Sequence, residues 1–427
     1  MLNTTEPHRL EQLSAPLPLE SLGYMVLSTL EAPLSWPGAD TRSTDAYRRN
    51  PAHLWEQSTG LSPADSHFTL IVPVHNEGRG LKTFLGTLLH SYLPRDLSLQ
   101  VVFIANACTD SSVSELRRFF DQLEAKQKDS PLNKGASPYP PIGEEIRRRD
   151  HGISAHPREL VRGNGRFILI ETSTPGKAHA LSLGNEIACL TPGCTVAIGL
   201  DSDCCPHPEA LMKIFAEMHR AQRECPERPP VFSALGSFEW DFARDKPYAE
   251  RLVDPQRRTH LHFNKDTPHV LGCLAAWSPQ WLEAQGGFPT CVMEDYALGI
   301  LAELKGGGRR RSEAQVWAYG PTSRADHWRT IRRYVQGTFQ LLSMFHAEFH
   351  AAPELRKKVL SEQDWLVSPK ALAKNNFEEF SRSPSAQGAV RAVYRTARAL
   401  LTVAQGWWDN LRSPHQQTWQ ATRSTKL

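Results

Sequence analysis

Apolar residues arrive in short bursts through the first half of the chain, and their spacing alternates from one burst to the next. "FTLIVPV" (Phe68 to Val74) and "LQVVFIA" are continuous apolar runs of strand length. Between them, "LKTFLGTLLHSYL" places Leu81, Phe84, Leu85, Leu88 and Leu89 on one face of a helix. "SSVSELRRFFDQLEAKQ" has the same helical period, with Ser111 or Ser112 as its cap. "GRFILIE" and "CTVAIGL" repeat the strand signature, with the helix "KAHALSLGNEIACL" between them. This alternation predicts an α/β fold, a parallel sheet with helices on its faces.

The pattern is weaker at the start and changes in the second half. Residues 1–65 are rich in Pro, Ser and Thr, and read as an extension that wraps the core or is weakly structured. Residues 66–340 read as the main α/β domain and 341–427 as a C-terminal helical region. The Pro/Gly-rich, charged stretch 126–165 reads as an inserted surface loop. "HVLGCLAAW" and "EAQVWAYG" suggest strands of a mixed second half, followed by a helix from about Ala325 to His350. That helix carries Ile331, Tyr334, Val335, Phe339, Leu342, Phe345 and Phe349 on its apolar side. The arginine runs 147–149 and 309–311 read as solvated loops.

Charge narrows the possible partners. Against 46 acidic residues stand 49 basic ones, a net +3, which gives no electrostatic basis for nucleic acid as the main partner. No apolar run approaches the roughly 20 residues a bilayer span needs, and the first residues lack a secretory signal pattern. Eight cysteines without framework spacing suggest a reducing, cytoplasmic location.

The chemistry begins at "GLDSDCCP", where an apolar run ends in Asp201 and Asp203. Residues two apart on an extended chain face the same way, so both carboxylates can converge at the mouth of a strand. Carboxylate oxygens suit a hard ion, Mg²⁺ or Mn²⁺. Cys204 and Cys205 lack the C-x₂₋₄-C spacing and the second ligand pair of a zinc site, so they are expected to pack as small buried groups. Lys177 stands near a helix start, a place for a phosphate or base contact. Glu294 and Asp295 lie between the Gly286-Gly287 turn and a helix, whose dipole would hold a carboxylate ionised, as a general base requires. "PVHNEGRG" opens the first strand–helix unit without the glycine fingerprint of a dinucleotide site.

Six segments in order, "LIVPVHNE", "ANACTD", "PGKAHALSLG", "GLDSD", "GCLAAWSPQWLEAQGGF" and "MEDYALG", resemble the family 2 inverting glycosyltransferases over about Phe68 to Gly337. The resemblance implies a type-A glycosyltransferase fold, with a mixed, mostly parallel central sheet flanked by helices. It implies a UDP- or GDP-linked sugar donor, a Mg²⁺ or Mn²⁺ ion, and an acceptor hydroxyl on a glycan or lipid-linked molecule. Asp203 matches the metal ligand, and Asp201 the residue that holds the donor's ribose or completes the metal shell. Asp295 matches the base, and Glu294 beside it would orient the acceptor. Pro73, His75, Asn76 and Glu77 fall at the nucleotide pocket, and Lys177 where members carry a basic residue. Asn106 stands where the family often has a base-reading acid, and Asp110 reads as ligand contact or helix cap. His327 is a candidate metal ligand; Arg324, Arg332 and Arg333 are candidate diphosphate contacts or a solvated helix face.

The Q-x-x-R-W segment of processive relatives is missing, which points to a non-processive enzyme. Two other readings stand beside this one: a transferase-like protein that binds sugar or a partner without turnover, and a sugar-phosphate nucleotidyltransferase. The tail "VRAVYRTARALLTVAQGWWDNLR" has an apolar stripe of Val390, Val393, Tyr394, Ala397, Leu400, Leu401, Ala404, Trp407, Trp408 and Leu411, with Arg391, Arg395 and Arg398 off it. Either that stripe packs on the catalytic domain, or segment 390–411 rests on the inner face of a membrane holding a lipid-linked acceptor.

Overall fold

The computed structural model describes residues 51–128 (apart from 79, 90, 92, 95 and 96), 152–154, 157–162, 165–239, 270, 272–319 and 324–367, and scattered positions between 393 and 411. Nine strands form one mixed sheet among these residues. They are β1 (His67–Val74), β2 (Ser98–Asn106), β3 (Arg158–Arg162), β4 (Gly165–Thr172), β5 (Val196–Leu200), β6 (Cys204–Pro206), β7 (Val231–Glu239), β8 (Leu274–Trp277) and β9 (Arg309–Tyr319). Their spatial order is β3-β4-β2-β1-β5-β8-β7-β9-β6. The run β4-β2-β1-β5 is parallel, whereas β8 lies antiparallel to both β5 and β7.

The ten helices given ranges here are α1 (Pro51–Thr59), α2 (Leu81–Leu89), α3 (Ser112–Lys128), α4 (Lys177–Leu190), α5 (Ala210–Glu224), α6 (Pro279–Ala284), α7 (Glu294–Leu304), α8 (Arg324–Met344), α9 (His346–Ala351) and α10 (Pro353–Val367). The apolar runs of β1 and β2 are continuous because both faces of the sheet are covered. Leu70, Val72 and Val74 point into one core with Phe84 of α2, Phe120 of α3 and Phe215 of α5. Ile71, Val102 and Ile168 point into the opposite core, with Leu181 of α4, Leu282 of α6 and Leu298 of α7.

Chain order explains where a ligand can sit. From β1 the chain moves outward through β2 to β4, then returns through α4 to place β5 on the other side of β1. A reversal of this kind opens a crevice at the carboxyl ends of the two strands, here at residues 75–77 and 201–203. Since β8 runs antiparallel to β5, with Leu200 opposite Leu274, the start of β8 borders the same crevice.

Several elements differ from the sequence expectations. Within the stretch read as a loop, Arg158–Arg162 is the edge strand β3, paired antiparallel with β4. Arg309–Arg311 are the first residues of β9, held by backbone pairing to Val231–Ser233, while the 147–149 run lies outside the described residues. Of the N-terminal 65 residues, α1 packs on the core: Trp55 is fully buried, stacks on Phe215 and donates to Ser66 Oγ at 2.8 Å. The long helix expected through His350 breaks at Phe345 into α8 and α9, and Phe345 and Phe349 pack with Tyr296 of α7. Gly337 lets α8 approach α7, since a Cβ there would overlap Met293.

The tail stripe does not pack as the first of its two readings expects. Helical residues between 393 and 411 touch α8 through Val403 and Gly406, which meet Val335. Leu401, Trp407 and Trp408 are 56%, 50% and 51% exposed. No helix among the described residues is long and apolar enough to cross a membrane.

Candidate active site

The loop after β1 is built by its neighbours. His75 Nδ1 lies 2.7 Å from the Asn106 carbonyl oxygen. Asn76 has a left-handed backbone (φ 56°), a conformation asparagine tolerates well, and its Oδ1 accepts from the backbone N–H groups of Thr109 and Asp110 at 2.6 and 3.2 Å. Glu77 is buried, and its N–H donates to Ser112 Oγ at 2.7 Å. The Pro73 carbonyl accepts from Ser202 Oγ at 3.0 Å, tying the mouth of β1 to the Asp-Ser-Asp turn. Asp110 takes the cap role: its Oδ1 accepts from Ser112 N at 2.9 Å, and its Oδ2 from Gly78 N at 3.0 Å.

Asn106 is fully buried, and its amide serves the backbone ahead of α4. Its Nδ2 donates to the carbonyls of Thr174 and Gly176 at 2.9 and 3.1 Å, and its Oδ1 accepts from Gly176 N at 3.0 Å. The side chain that stands where the family often has a base-reading acid is thus engaged in fixing the turn that presents Lys177.

Lys177 is the hub of the crevice. Its Nζ lies 2.7 Å from Asp201 Oδ1, donates to Asp201 Oδ2 at 2.8 Å, and stands 3.2 Å from Glu294 Oε1 and 3.4 Å from the Gly272 carbonyl. Burial works against its charge, but Asp201, Glu294 and Asp295 together hold it well above the usual lysine range. Burial pushes the Asp201 carboxyl up to about 7 against the pull of Lys177, and Asp203 adds to the rise. Glu294 is raised by burial and restrained by Lys177.

Asp295 opens α7 and is half-buried. Its Oδ2 accepts from Gly272 N at 3.1 Å and its Oδ1 from Tyr296 N at 2.8 Å. A side chain at 272 has no room: its Cβ would come 2.5 Å from Asp295 Oδ2 and 3.0 Å from Lys177 Nζ. Asp203 is exposed at the rim, and its Oδ1 accepts from Cys204 Sγ at 3.2 Å.

From α8, Arg333 faces the acid pair. Burial opposes its charge, while Tyr334, Glu294 and Asp295 raise its pKa above the usual arginine value. Burial also raises Tyr334, against the pull of Arg333, with Asp295 and Cys273 adding to it. Arg332 lies where the 393–411 segment crosses α8. The side chains of Arg324 and His327, at the start of α8, lie outside the described residues.

One crevice therefore collects Lys177, Asp201, Glu294, Asp295 and Arg333, with Asp203 at its edge. Sequence reasoning did not find Gly272, Cys273 or Tyr334. Tyr334 was hidden in the apolar stripe of its helix, and Gly272 and Cys273 entered the site only through the pairing of β8 with β5. A separate cleft of ≈ 540 Å³ lies between α1 and α5, lined by Gln57, Thr59, His219, Arg220 and Arg223 among others; it is apart from these groups.

No family model matches the chain, and no curated protein matches it. Solved structures do resemble it. A mannosyltransferase from Pyrobaculum calidifontis, in complex with GDP-Man and Mn²⁺, is 18% identical with a TM-score of 0.48, over 86% of this chain and 98% of that one. GalNAc-T7 with UDP, GalNAc and Mn²⁺ is 13% identical with a TM-score of 0.41, over 75% of this chain and 61% of that one. TarS residues 1–349 from S. aureus is 12% identical with a TM-score of 0.33, over 81% and 92%. At these scores the likeness carries no functional weight, and the chemistry has to come from the residues of the crevice.

Proposed function

We propose that the chain is a type-A, family 2 glycosyltransferase, moving a sugar with inversion from a UDP- or GDP-linked donor to an acceptor hydroxyl, without processive elongation. The observation that carries this reading is the convergence of Asp201 and the chain-distant pair Glu294 and Asp295 on Lys177 at a strand-order reversal. An inverting transfer needs one base opposite the leaving diphosphate, and cations on the leaving side.

Asp295 is the base. Its carboxylate is steadied by the Gly272 N–H and stands half-buried at a helix start, so it can take the acceptor's proton as the new bond forms. Glu294 is held by Lys177 and orients the acceptor beside it. Lys177 and Arg333 supply positive charge within the crevice, where a diphosphate would meet it. The residues fit a divalent metal ion: Asp203 offers exposed carboxylate oxygens at the strand mouth and Asp201 stands behind it. Mg²⁺ or Mn²⁺ held there would neutralise the diphosphate that departs.

Asp295→Asn is expected to lower transfer by about 10²–10⁴-fold with nucleotide binding intact, as for removal of a general base. Asp203→Ala is expected to abolish the thermal shift that UDP or GDP gives in the presence of Mn²⁺. Full turnover by Asp295→Asn would overturn the base assignment, and the absence of any shift with UDP, GDP, CDP or dTDP would overturn the donor class. The exposed tail helix supports an acceptor presented at a membrane surface, a reading tested below.

A further inference from the structure

The fold supplies the thiol partner that the sequence around Cys204 lacks. The strand pair β5–β8 puts Leu200 opposite Leu274, so the next residues out, Asp201 and Cys273, face each other, with Asp201 N donating to Cys273 O at 3.0 Å. The turn that follows brings Cys204 N back to Asp201 O at 3.2 Å. As a result one carboxylate oxygen of Asp201, Cys204 Sγ and Cys273 Sγ all lie within 4.8 Å of one another. Cys204 is buried, Asp201 and Cys273 are half-buried, and Asp203 Oδ1 stands 3.2 Å from Cys204 Sγ. Asp201 Oδ1 is buried, with Lys177 Nζ 2.7 Å away.

We propose that Asp201, Cys204 and Cys273 form a mixed carboxylate–thiolate site for a thiophilic divalent ion of the zinc class, set just behind the rim carboxylate of Asp203. The proposal adds a softer position, sharing Asp201, to the crevice assigned above to sugar transfer, but the ligand set stands without that assignment. Tetrahedral donors about a zinc-class ion are roughly 3.8 Å apart for sulfur, so donors that lie within 4.8 Å of one another need to close by at most about an ångström. Magnesium asks for near-octahedral oxygen at about 2.0–2.1 Å, which two sulfurs cannot give. On binding, the ion replaces the two thiol protons, which leave to solvent, and no oxidation state changes. Two thiolates, one carboxylate and Lys177 together then balance the ion's two positive charges. The fourth position faces Asp203 or an incoming phosphate oxygen, as in an open zinc site.

Zinc-edge X-ray absorption on the full chain loaded with one equivalent of Zn²⁺ tests this without a variant. The expected result is a shell of two sulfurs at about 2.3 Å; a shell of oxygen and nitrogen alone overturns the proposal. Cys273→Ser should reduce the shell to one sulfur and weaken zinc binding by about tenfold or more, on the scale of damage to a ligand shell. Cys225→Ser, at an exposed cysteine after α5, should change neither; two sulfurs retained in Cys273→Ser would overturn the ligand assignment. If Cys204→Ser fails to fold, wild type and Cys273→Ser decide the matter. The two readings fail separately. Nucleotide shifts and transfer with Mn²⁺ but without a zinc–sulfur shell remove the thiol site alone. A zinc–sulfur shell with no nucleotide shift removes the transferase alone.

Discussion

At Gly272 the backbone threads between a carboxylate, proposed above as the base, and a cation. Its N–H holds Asp295 Oδ2 and its carbonyl lies 3.4 Å from Lys177 Nζ, with no room for a side chain on either side. A methyl group there must move the carboxylate, the ammonium or the start of β8. Misplacement of a catalytic group by about an ångström costs on the order of 10²-fold in rate. Gly272→Ala is therefore expected to lower kcat by that order while the melting temperature stays close to wild type, measured by steady-state transfer and a thermal melt. A variant with wild-type kcat would show that Asp295 does not need its Gly272 contact. Nothing in "GCLAAW" marks this glycine as special, because the constraint comes from residues 23 and 95 positions away.

Elements show the same division between local and distant causes. The runs of β1, β2, β4 and β5 were legible because both faces of each are buried, and helices α2, α3 and α4 because their apolar periods are regular. Strands β3, β6 and β7 were not: "RELVR" carries charges on an edge, and "CCP" is three residues long. The short β6 leads into α5 through His207, which has a titratable role there. Its Nδ1 accepts from Glu209 N at 3.3 Å, a contact that requires an unprotonated nitrogen, and burial lowers its pKa below the ordinary histidine value. The unfolded chain binds the proton at about pH 6.5, the folded chain only at lower pH, so stability is lost as pH falls from about 6.5 through the folded value. His207→Asn keeps an acceptor near the helix start without titrating. Thermal melts at pH 7.5 and 5.5 should therefore show a larger fall in Tm for wild type than for His207→Asn. Equal falls would remove His207 as a source of acid sensitivity.

For the molecule as a whole, the candidate site follows from topology more than from any motif. Asp201 and Asp203 could be placed at a strand mouth from sequence, and Glu294–Asp295 at a helix start, but only the antiparallel β8 brings the two together and adds Cys273. The tail follows another logic: its stripe faces solvent although its spacing would suit a packed helix. Val403 and Gly406 fasten the segment to α8 at Val335 and leave Leu400, Leu401, Trp407, Trp408 and Leu411 outward. The sequence places Arg391, Arg395 and Arg398 in the same segment. A basic, tryptophan-bearing helix of this kind binds an interface through apolar insertion plus attraction to anionic lipid, and attachment to α8 would hold the crevice near that surface. Full-length protein is thus expected to sediment with vesicles containing phosphatidylglycerol at low ionic strength, and less so as salt screens the attraction. Trp407→Ser with Trp408→Ser should cut the bound fraction several-fold, in keeping with the apolar area removed, while leaving transfer to a water-soluble acceptor unchanged. If wild type stays in the supernatant at every salt concentration, membrane contact through this helix is ruled out.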